Sequence, residues 1–84
     1  MKTVEVPIED TLDLHSFPPA DVADLVQEYL YQARMKGYRD VRIIHGRGAG
    51  VQRRMVHSIL QKHPEVTCFQ DAPDRGSTAV TLKQ

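Results

Sequence analysis

The sequence predicts an α/β fold with a mixed sheet, in the order strand, helix, strand, helix, strand, strand. Three observations predict it: two short strand-like segments at residues 11–15 and 40–45, two intervening segments with apolar residues at helical spacing, and two final strand-like segments flanking a turn. Right-handed crossovers through the helices place the first three strands parallel, and the last two form an antiparallel hairpin at one edge. The sequence leaves open whether the helices cover one face of the sheet or both.

The first strand and the first helix follow from local patterns. In "TLDLH" (11–15), Leu12 and Leu14 alternate with polar residues, which is typical of a strand with one buried face, and "SFPP" then ends it. Helical spacing begins at Pro19, and Gly37 is placed as a helix stop. The apolar positions of this helix are Val22, Leu25, Val26, Tyr29, Leu30 and Ala33.

The second half of the chain alternates in the same way. The β-branched run "DVRIIH" (40–45) predicts the second strand, and "GRGAG" predicts a turn. Apolar residues from Val51 to Leu60 recur at helical spacing and indicate a second helix that ends before Pro64. "EVTCFQ" (65–70) and "STAVTL" (77–82) predict the last two strands, joined by the turn-forming "DAPDRG".

Size and composition limit the possible architectures of the protein and indicate its cellular location. A chain of 84 residues has room for one domain with a single core in two layers, and 40% hydrophobic with 26% charged residues is ordinary for a globular protein. Cys68 is the single cysteine, which excludes an intrachain disulfide, and we expect it in the core. The apolar runs are far too short to span a membrane, and "KTVEVPIED" after Met1 does not resemble a signal peptide, so we expect a cytoplasmic protein.

The zero net charge hides an uneven distribution. Residues 1–33 hold seven acidic residues and one basic residue, whereas residues 34–62 hold eight basic residues and one acidic residue. A basic block of this kind attracts polyanions such as nucleic acid even in a neutral chain. Two solvated helix faces of opposite charge would explain the same pattern equally well.

Polar residues are predicted to meet at one edge of the sheet. His15 ends the first predicted strand and His45 ends the second. Because the carboxyl ends of parallel strands meet where open α/β sheets bind ligands, we expect both imidazoles there, with Asp13 roughly 7 Å from His15 along the strand. Both helices begin beyond this edge, and helix amino termini favour anions. The glycine loop with Arg47 joins them, so the sequence predicts an anion-binding edge.

The glycine loop and the aspartate also have purely structural interpretations. "HGRGAG" is compatible with a simple strand-to-helix turn, and an aspartate beside a helix start often accepts bonds from backbone N–H groups. The loop lacks the Gly-Lys-Ser/Thr ending of a Walker loop. Val51 stands where the dinucleotide-binding fingerprint requires its third glycine, so we expect no nucleotide cofactor.

The histidines do not predict a metal site. Asp13, His15 and His45 are suitable ligand types, yet their spacing matches no recognised ligand signature. A histidine at a strand end is more often a surface or turn residue than a catalyst. His57 and His63, on or just after the second helix, are predicted to be exposed.

Three motifs together resemble the small MutS-related (Smr) domain, over about residues 10–83. Its Leu-Asp-Leu-His-Gly motif is matched by residues 12–15, with Ser16 in place of the glycine, and its His/Thr-Gly-x-Gly motif is matched by residues 45–48. Its Gly-Gly-x-Gly turn before the last strand corresponds to "PDRG", which keeps Gly76 alone. On this resemblance, residues 1–84 are a single Smr-like domain with its core at about 10–83 and residues 1–9 as an extended lead-in.

The resemblance implies a two-layer α/β sandwich and, in several family members, nicking or RNA-cleaving endonuclease activity. It implies that Asp13 and His15 are central to cleavage and that the glycine-rich segments contact nucleic acid. The match places that contact at His45 to Gly48, which includes Gly46 and Arg47. From the glycine loop, the last turn and the basic block we also expect nucleic-acid contacts at Gly50, Gly76, Arg53 and Arg54. Family domains commonly lie at the end of longer chains. Because the present sequence covers this domain alone, we expect substrate targeting to come from its small surface or from a partner protein.

Cleavage of a phosphodiester needs a base, an acid and positive charge near the phosphate. We expect His15 to transfer a proton while Asp13 orients it, His45 to supply the second proton role, and Arg47 with the loop N–H groups to hold the phosphate. With RNA the ribose 2′-hydroxyl is the nucleophile and no metal is obligatory, whereas DNA cleavage favours a divalent ion such as Mg²⁺ or Mn²⁺.

Two other functions fit the same residues. One is a binding module that grips the phosphate backbone without cutting it, and the replaced glycines favour it slightly. The other is a protein-interaction domain whose basic half docks an acidic partner. The sequence does not separate DNA from RNA, and it does not predict the oligomeric state.

Overall fold

The computed structural model describes residues 8–46, 50–73 and 76–83. Its elements are β1 (Thr11–Asp13), α1 (Pro19–Met35), β2 (Asp40–Ile44), α2 (Val51–Lys62), β3 (Val66–Asp71) and β4 (Ser77–Leu82). The predicted α/β class and element order are confirmed. The two segments with apolar residues at helical spacing both form helices where predicted. β1 ends at Asp13, two residues earlier than predicted.

The four strands form one mixed sheet in the order β1-β2-β4-β3. β1 pairs with β2 in parallel, and β4 pairs antiparallel with both β2 and β3. β1, β2 and β3 therefore run in the same direction, as predicted, but β4 is inserted between β2 and β3. The hairpin of the last two strands lies at one edge with β3 outermost.

This strand order also decides where the helices lie. The crossovers through α1 and α2 both step in the same direction across the sheet, from β1 to β2 and from β2 to β3. Right-handed crossovers that step in one direction place their helices on the same face. The result is a two-layer α/β sandwich, with the other face of the sheet open to solvent at residues such as Arg42 and Ala79.

The core lies between the sheet and the two helices. Both helices contribute apolar residues that are fully buried, and so do the strands β2 and β4. The core residues are Leu14, Val22, Val26, Tyr29, Leu30, Ala33, Val41, Ile43, Val56, Leu60, Val80 and Leu82. Within the described ranges, neither helix is long and apolar enough to cross a membrane.

Two tyrosines attach the residues before β1 to this core. The Tyr29 hydroxyl donates to the Glu9 carbonyl at 2.5 Å, and the Tyr38 hydroxyl donates to the Ile8 carbonyl at 3.2 Å. Burial raises the pKa of the Tyr29 phenol above its ordinary value, so it stays a donor. Ile8 and Glu9 are thereby hydrogen-bonded to the turn before β2 and to α1.

The prediction that Cys68 lies in the core is wrong, because its side chain is exposed. β3 has a register shift between Val66 and Cys68 where it pairs with β4. An extra residue at such a bulge reverses the side-chain alternation. Val66 and Phe69, three residues apart, therefore both face the core, and Cys68 faces the open side.

Candidate nucleic-acid interface and active site

The two predicted histidines emerge at one edge of the sheet because β1 and β2 are parallel and in register. Leu14 N donates to the Ile44 carbonyl at 2.7 Å, so the chain leaves both strands at the same level. His15 and His45 are the next residues, and both line an open cleft of about 350 Å³. Gly46, Gly50 and the first turn of α2 complete its walls.

Asp13 and His15 form a close acid–imidazole pair. Asp13 Oδ1 lies 2.6 Å from His15 Nδ1 and accepts a second hydrogen bond from the His15 backbone N at 3.0 Å. These two bonds lower the pKa of the Asp13 carboxyl below its ordinary value, the ring bond being the larger cause. Both side chains are about half exposed or more, 48% for Asp13 and 67% for His15, so a large substrate can reach them.

His45 is oriented differently from His15, because its ring is buried with only 4% of the residue exposed. Its Nδ1 lies 3.0 Å from the Gly46 carbonyl, and its Nε2 lies 2.9 Å from the Thr78 hydroxyl. A neutral ring protonated at Nδ1 satisfies both contacts. Both ring nitrogens are therefore already hydrogen-bonded within the protein.

The start of α2 forms one wall of the cleft, and no side chain caps its first backbone N–H groups. Gly50 precedes the helix with φ of 83°, and the first turn contains no acidic residue. Gln52 donates to the Phe17 carbonyl at 2.6 Å and so holds this turn beside the segment after His15. Uncapped N–H groups at a helix start bind anions.

The start of α1, the other helix terminus predicted to bind anions, is less suitable. Asp21 lies in its first turn, and its carboxylate repels an incoming phosphate.

Arg53 brings positive charge to the same cleft, which it lines. Its Nε donates to Asp71 Oδ2 at 2.9 Å, and its Nη2 contacts the same oxygen. This ion pair raises the pKa of the Arg53 guanidinium and lowers the pKa of the Asp71 carboxyl. Arg54, the next residue, is exposed and does not line the cleft.

Two of the glycines singled out in the sequence meet beside the histidines. The backbone N–H groups of His45 and Gly46 both donate to the Gly76 carbonyl at 3.0 Å. Gly46 has φ of 83°, and a Cβ added there would lie 3.8 Å from the Cβ of His15. Arg47 and Gly48 lie outside the described residues.

Sequence reasoning missed a group of polar residues behind His45. The prediction that His57 and His63 are exposed is wrong, since both are half-buried. His57 Nε2 lies 2.9 Å from Asp71 Oδ1 and 3.1 Å from the Thr78 hydroxyl. One signal was available: His57 follows Arg53 by four residues, which places both on one side of α2, where both reach Asp71.

A two-layer α/β sandwich with an acid–imidazole pair at one edge of its sheet defines the class of this protein. The chain belongs to the Smr domain family, whose model matches residues 12–83. It is 45% identical over 69 residues to Endonuclease MutS2 of Solidesulfovibrio magneticus, covering 76% of this chain and 9% of that protein. It is 37% identical to Endonuclease MutS2 of Helicobacter pylori, covering 74% of this chain and 8% of that protein.

Solved structures agree with this assignment. The crystal structure of the Smr domain of Thermus thermophilus MutS2 matches with a TM-score of 0.84 and 31% identity, covering 88% of this chain and 98% of that one. YdaL, a stand-alone small MutS-related protein from Escherichia coli, matches with a TM-score of 0.83 and 26% identity, covering 93% and 67%. The chain spans about a tenth of the length of the curated MutS2 proteins that it matches.

Proposed function

We propose that this domain binds the phosphate backbone of nucleic acid in the cleft beside His15 and cleaves its phosphodiester bonds. The observation that carries the proposal is the exposed Asp13–His15 pair, with 2.6 Å between carboxylate and ring nitrogen, beside the cleft that the uncapped start of α2 lines. The endonuclease name of the MutS2 relatives, which share this domain, supports the same reading.

His15 is the proton carrier in this proposal. Its Nδ1 is bound to Asp13, and among the described residues no protein group bonds to its Nε2. Nε2 is thus the ring atom available to a substrate. The Asp13 carboxylate fixes the ring orientation and stabilises the imidazolium form, which is the role of the carboxylate in other acid–imidazole pairs.

Cleavage of RNA requires one proton to be removed and another to be supplied, and His15 carries out one of these two transfers. The ribose 2′-oxygen attacks phosphorus as its proton passes to a base, and the bond from phosphorus to the 5′-oxygen breaks as that oxygen receives a proton. The products are a cyclic phosphate and a free 5′-hydroxyl. Arg53 and the α2 N–H groups lie where they offset the extra negative charge on the phosphate oxygens.

The second proton transfer has two candidates, His45 and a water molecule. His45 lines the cleft, but its Nε2 must first release the Thr78 hydroxyl before it meets a substrate. Its burial therefore favours water. For DNA, which lacks the 2′-hydroxyl, an activated water is the nucleophile, and Mg²⁺ or Mn²⁺ is the metal that we expect such a reaction to need.

The test is incubation of the purified domain with labelled single-stranded RNA and with supercoiled plasmid, each with and without chelator. His15→Ala is expected to lower the cleavage rate by about 10²- to 10⁴-fold, the usual contribution of a general acid or base. His63→Ala, at the carboxyl end of α2, is the matched control and should cleave at the wild-type rate. Circular dichroism verifies that both variants are folded. A His15→Ala domain that cuts normally would refute the assignment.

Binding without cleavage is the second candidate function. The uncapped start of α2 and Arg53 support it, because both line the cleft and neither needs the Asp13–His15 pair to contact a phosphate. If neither substrate is cut while binding persists and weakens with salt, the domain grips nucleic acid and does not cleave it.

A further inference from the structure

Two histidines and an aspartate meet behind the cleft, on the side of His45 that faces the sheet. Among the described residues, His45, His57 and Asp71 each offer one ligand atom, and these atoms all lie within 4.8 Å of one another. They come from three elements: the end of β2, the middle of α2 and the end of β3. The cluster is formed by tertiary packing and by no local motif.

His45 is held in the orientation that a metal ligand requires. Its Nδ1 donates to the Gly46 carbonyl at 3.0 Å, which leaves the lone pair of Nε2 directed into the cluster. Histidines that bind metals almost always donate their other ring N–H to a carbonyl or carboxylate in this way. The orientation is fixed before any ion arrives, because the ring is buried.

The two carboxylate oxygens of Asp71 contact different residues. Oδ2 accepts from Arg53, and Oδ1 faces His57 Nε2 at 2.9 Å. Oδ1 is thus the oxygen that points into the cluster, and Arg53 holds the carboxylate in place from outside. Outer partners of this kind orient metal ligands.

The Thr78 hydroxyl marks the centre of the cluster. It lies 2.9 Å from His45 Nε2, 3.1 Å from His57 Nε2 and 3.3 Å from Asp71 Oδ1. Ligand atoms about 2.1 Å from a tetrahedral zinc ion are about 3.4 Å apart. Since the three ligand atoms lie within 4.8 Å of one another, the most separated pair must approach by at most about 1.4 Å. An ion at this point would take the place of the Thr78 hydroxyl, which occupies the centre of the cluster.

We propose that His45, His57 and Asp71 bind a divalent ion of the zinc class, with a fourth position open to water. Two imidazoles and one carboxylate suit zinc, whereas Mg²⁺ prefers oxygen ligands alone. The side chains of His57 and Asp71 are 25% and 27% exposed, which provides the entry path. The site rests on these described residues and does not depend on the proposed cleavage.

The experiment titrates Zn²⁺ into tag-free, metal-free protein by isothermal calorimetry, with Co²⁺ absorption as a second readout of tetrahedral coordination. Wild type is expected to bind one ion and to melt at a higher temperature with it. His57→Gln and Asp71→Asn are expected to weaken binding at least about tenfold. Both variants keep side chains of similar size and hydrogen-bonding capacity.

Two histidine variants are the matched controls. His15→Gln and His63→Gln alter the other described histidines outside the cluster and should bind Zn²⁺ like wild type. Absence of binding by wild type, or undiminished binding by folded His57→Gln, would overturn the site. Loss of binding in His15→Gln would overturn it too, because the ion would then lie at the Asp13–His15 pair. RNA cleavage in chelator is scored separately, so failure of the metal site leaves the cleavage proposal untouched.

Discussion

One oxygen atom of Asp13 binds both the ring and the backbone of His15, with Oδ1 lying 2.6 Å from Nδ1 and 3.0 Å from the backbone N. The orientation of the imidazole is therefore tied to the turn that follows β1. Because Leu14, between them, is fully buried, the core fixes the position of both residues while their side chains stay exposed.

The Asp13–His15 contact is expected to make the free energy of unfolding fall as the pH is lowered. The lowered pKa of Asp13 means that its stabilisation is complete above its ordinary value of 3.8 and is lost as the pH falls through the lowered value. The pair is exposed and screened by solvent, so the effect stays within about 1 kcal/mol. Urea unfolding of wild type and Asp13→Asn should give a difference that shrinks from about pH 5 downwards. A difference that widens in acid would contradict this.

Arg53 and Arg54 are expected to contribute to nucleic-acid affinity for every sequence alike. Each charge that contacts phosphate releases counterions, so Arg53→Gln and Arg54→Gln should each weaken binding and lower the slope of log K against log salt by about 1. Fluorescence anisotropy at several salt concentrations measures this. Lys36→Gln is the control. It also removes one positive charge, but Lys36 lies at the carboxyl end of α1 and does not line the cleft. An equal loss in Lys36→Gln would mean that net charge alone drives binding.

Leu30 and Tyr31 are neighbours in α1 with opposite surroundings. Leu30 is fully buried and Tyr31 is 57% exposed. Leu30→Ala removes buried methyl groups and leaves a cavity, so the free energy of unfolding should fall by about 2–5 kcal/mol, whereas Tyr31→Ala should change it by less than about 1 kcal/mol. Chemical denaturation of both variants measures these values. Similar losses would show that α1 packs with a different face toward the sheet.

Gly50 adopts a left-handed conformation, φ 83°, immediately before α2. A Cβ built there meets nothing within 4 Å, so the cost of a side chain comes from the backbone alone. Gly50→Ala should cost about 1–2 kcal/mol of unfolding free energy, and Gly50→Asn should cost less, since asparagine tolerates this region. The two variants are compared by thermal and urea unfolding. Equal costs would point to a clash rather than to strain.

Much of the fold was predictable because it depends on local periodicity. The helix over 19–35 and the strand over 77–82 follow from the spacing of their apolar residues, and the parallel direction of β1 and β2 follows from the crossover rule. The convergence of His15 and His45 on one edge followed from the same rule. Cys68 was predicted wrongly because a bulge in β3 reverses the alternation, and no local pattern signals that bulge.

The sequence by itself determined the order of the elements, the family motifs and the edge at which the two strand-end histidines emerge. The tertiary structure alone decided that β4 lies inside the sheet, that both helices share one face, and that His45 turns inward to Thr78, 33 residues away. It also brought His57 to Asp71 across 14 residues. These outcomes depend on contacts between segments far apart in the chain, and side-chain orientations in such contacts are set by packing, which hydrophobic periodicity does not encode.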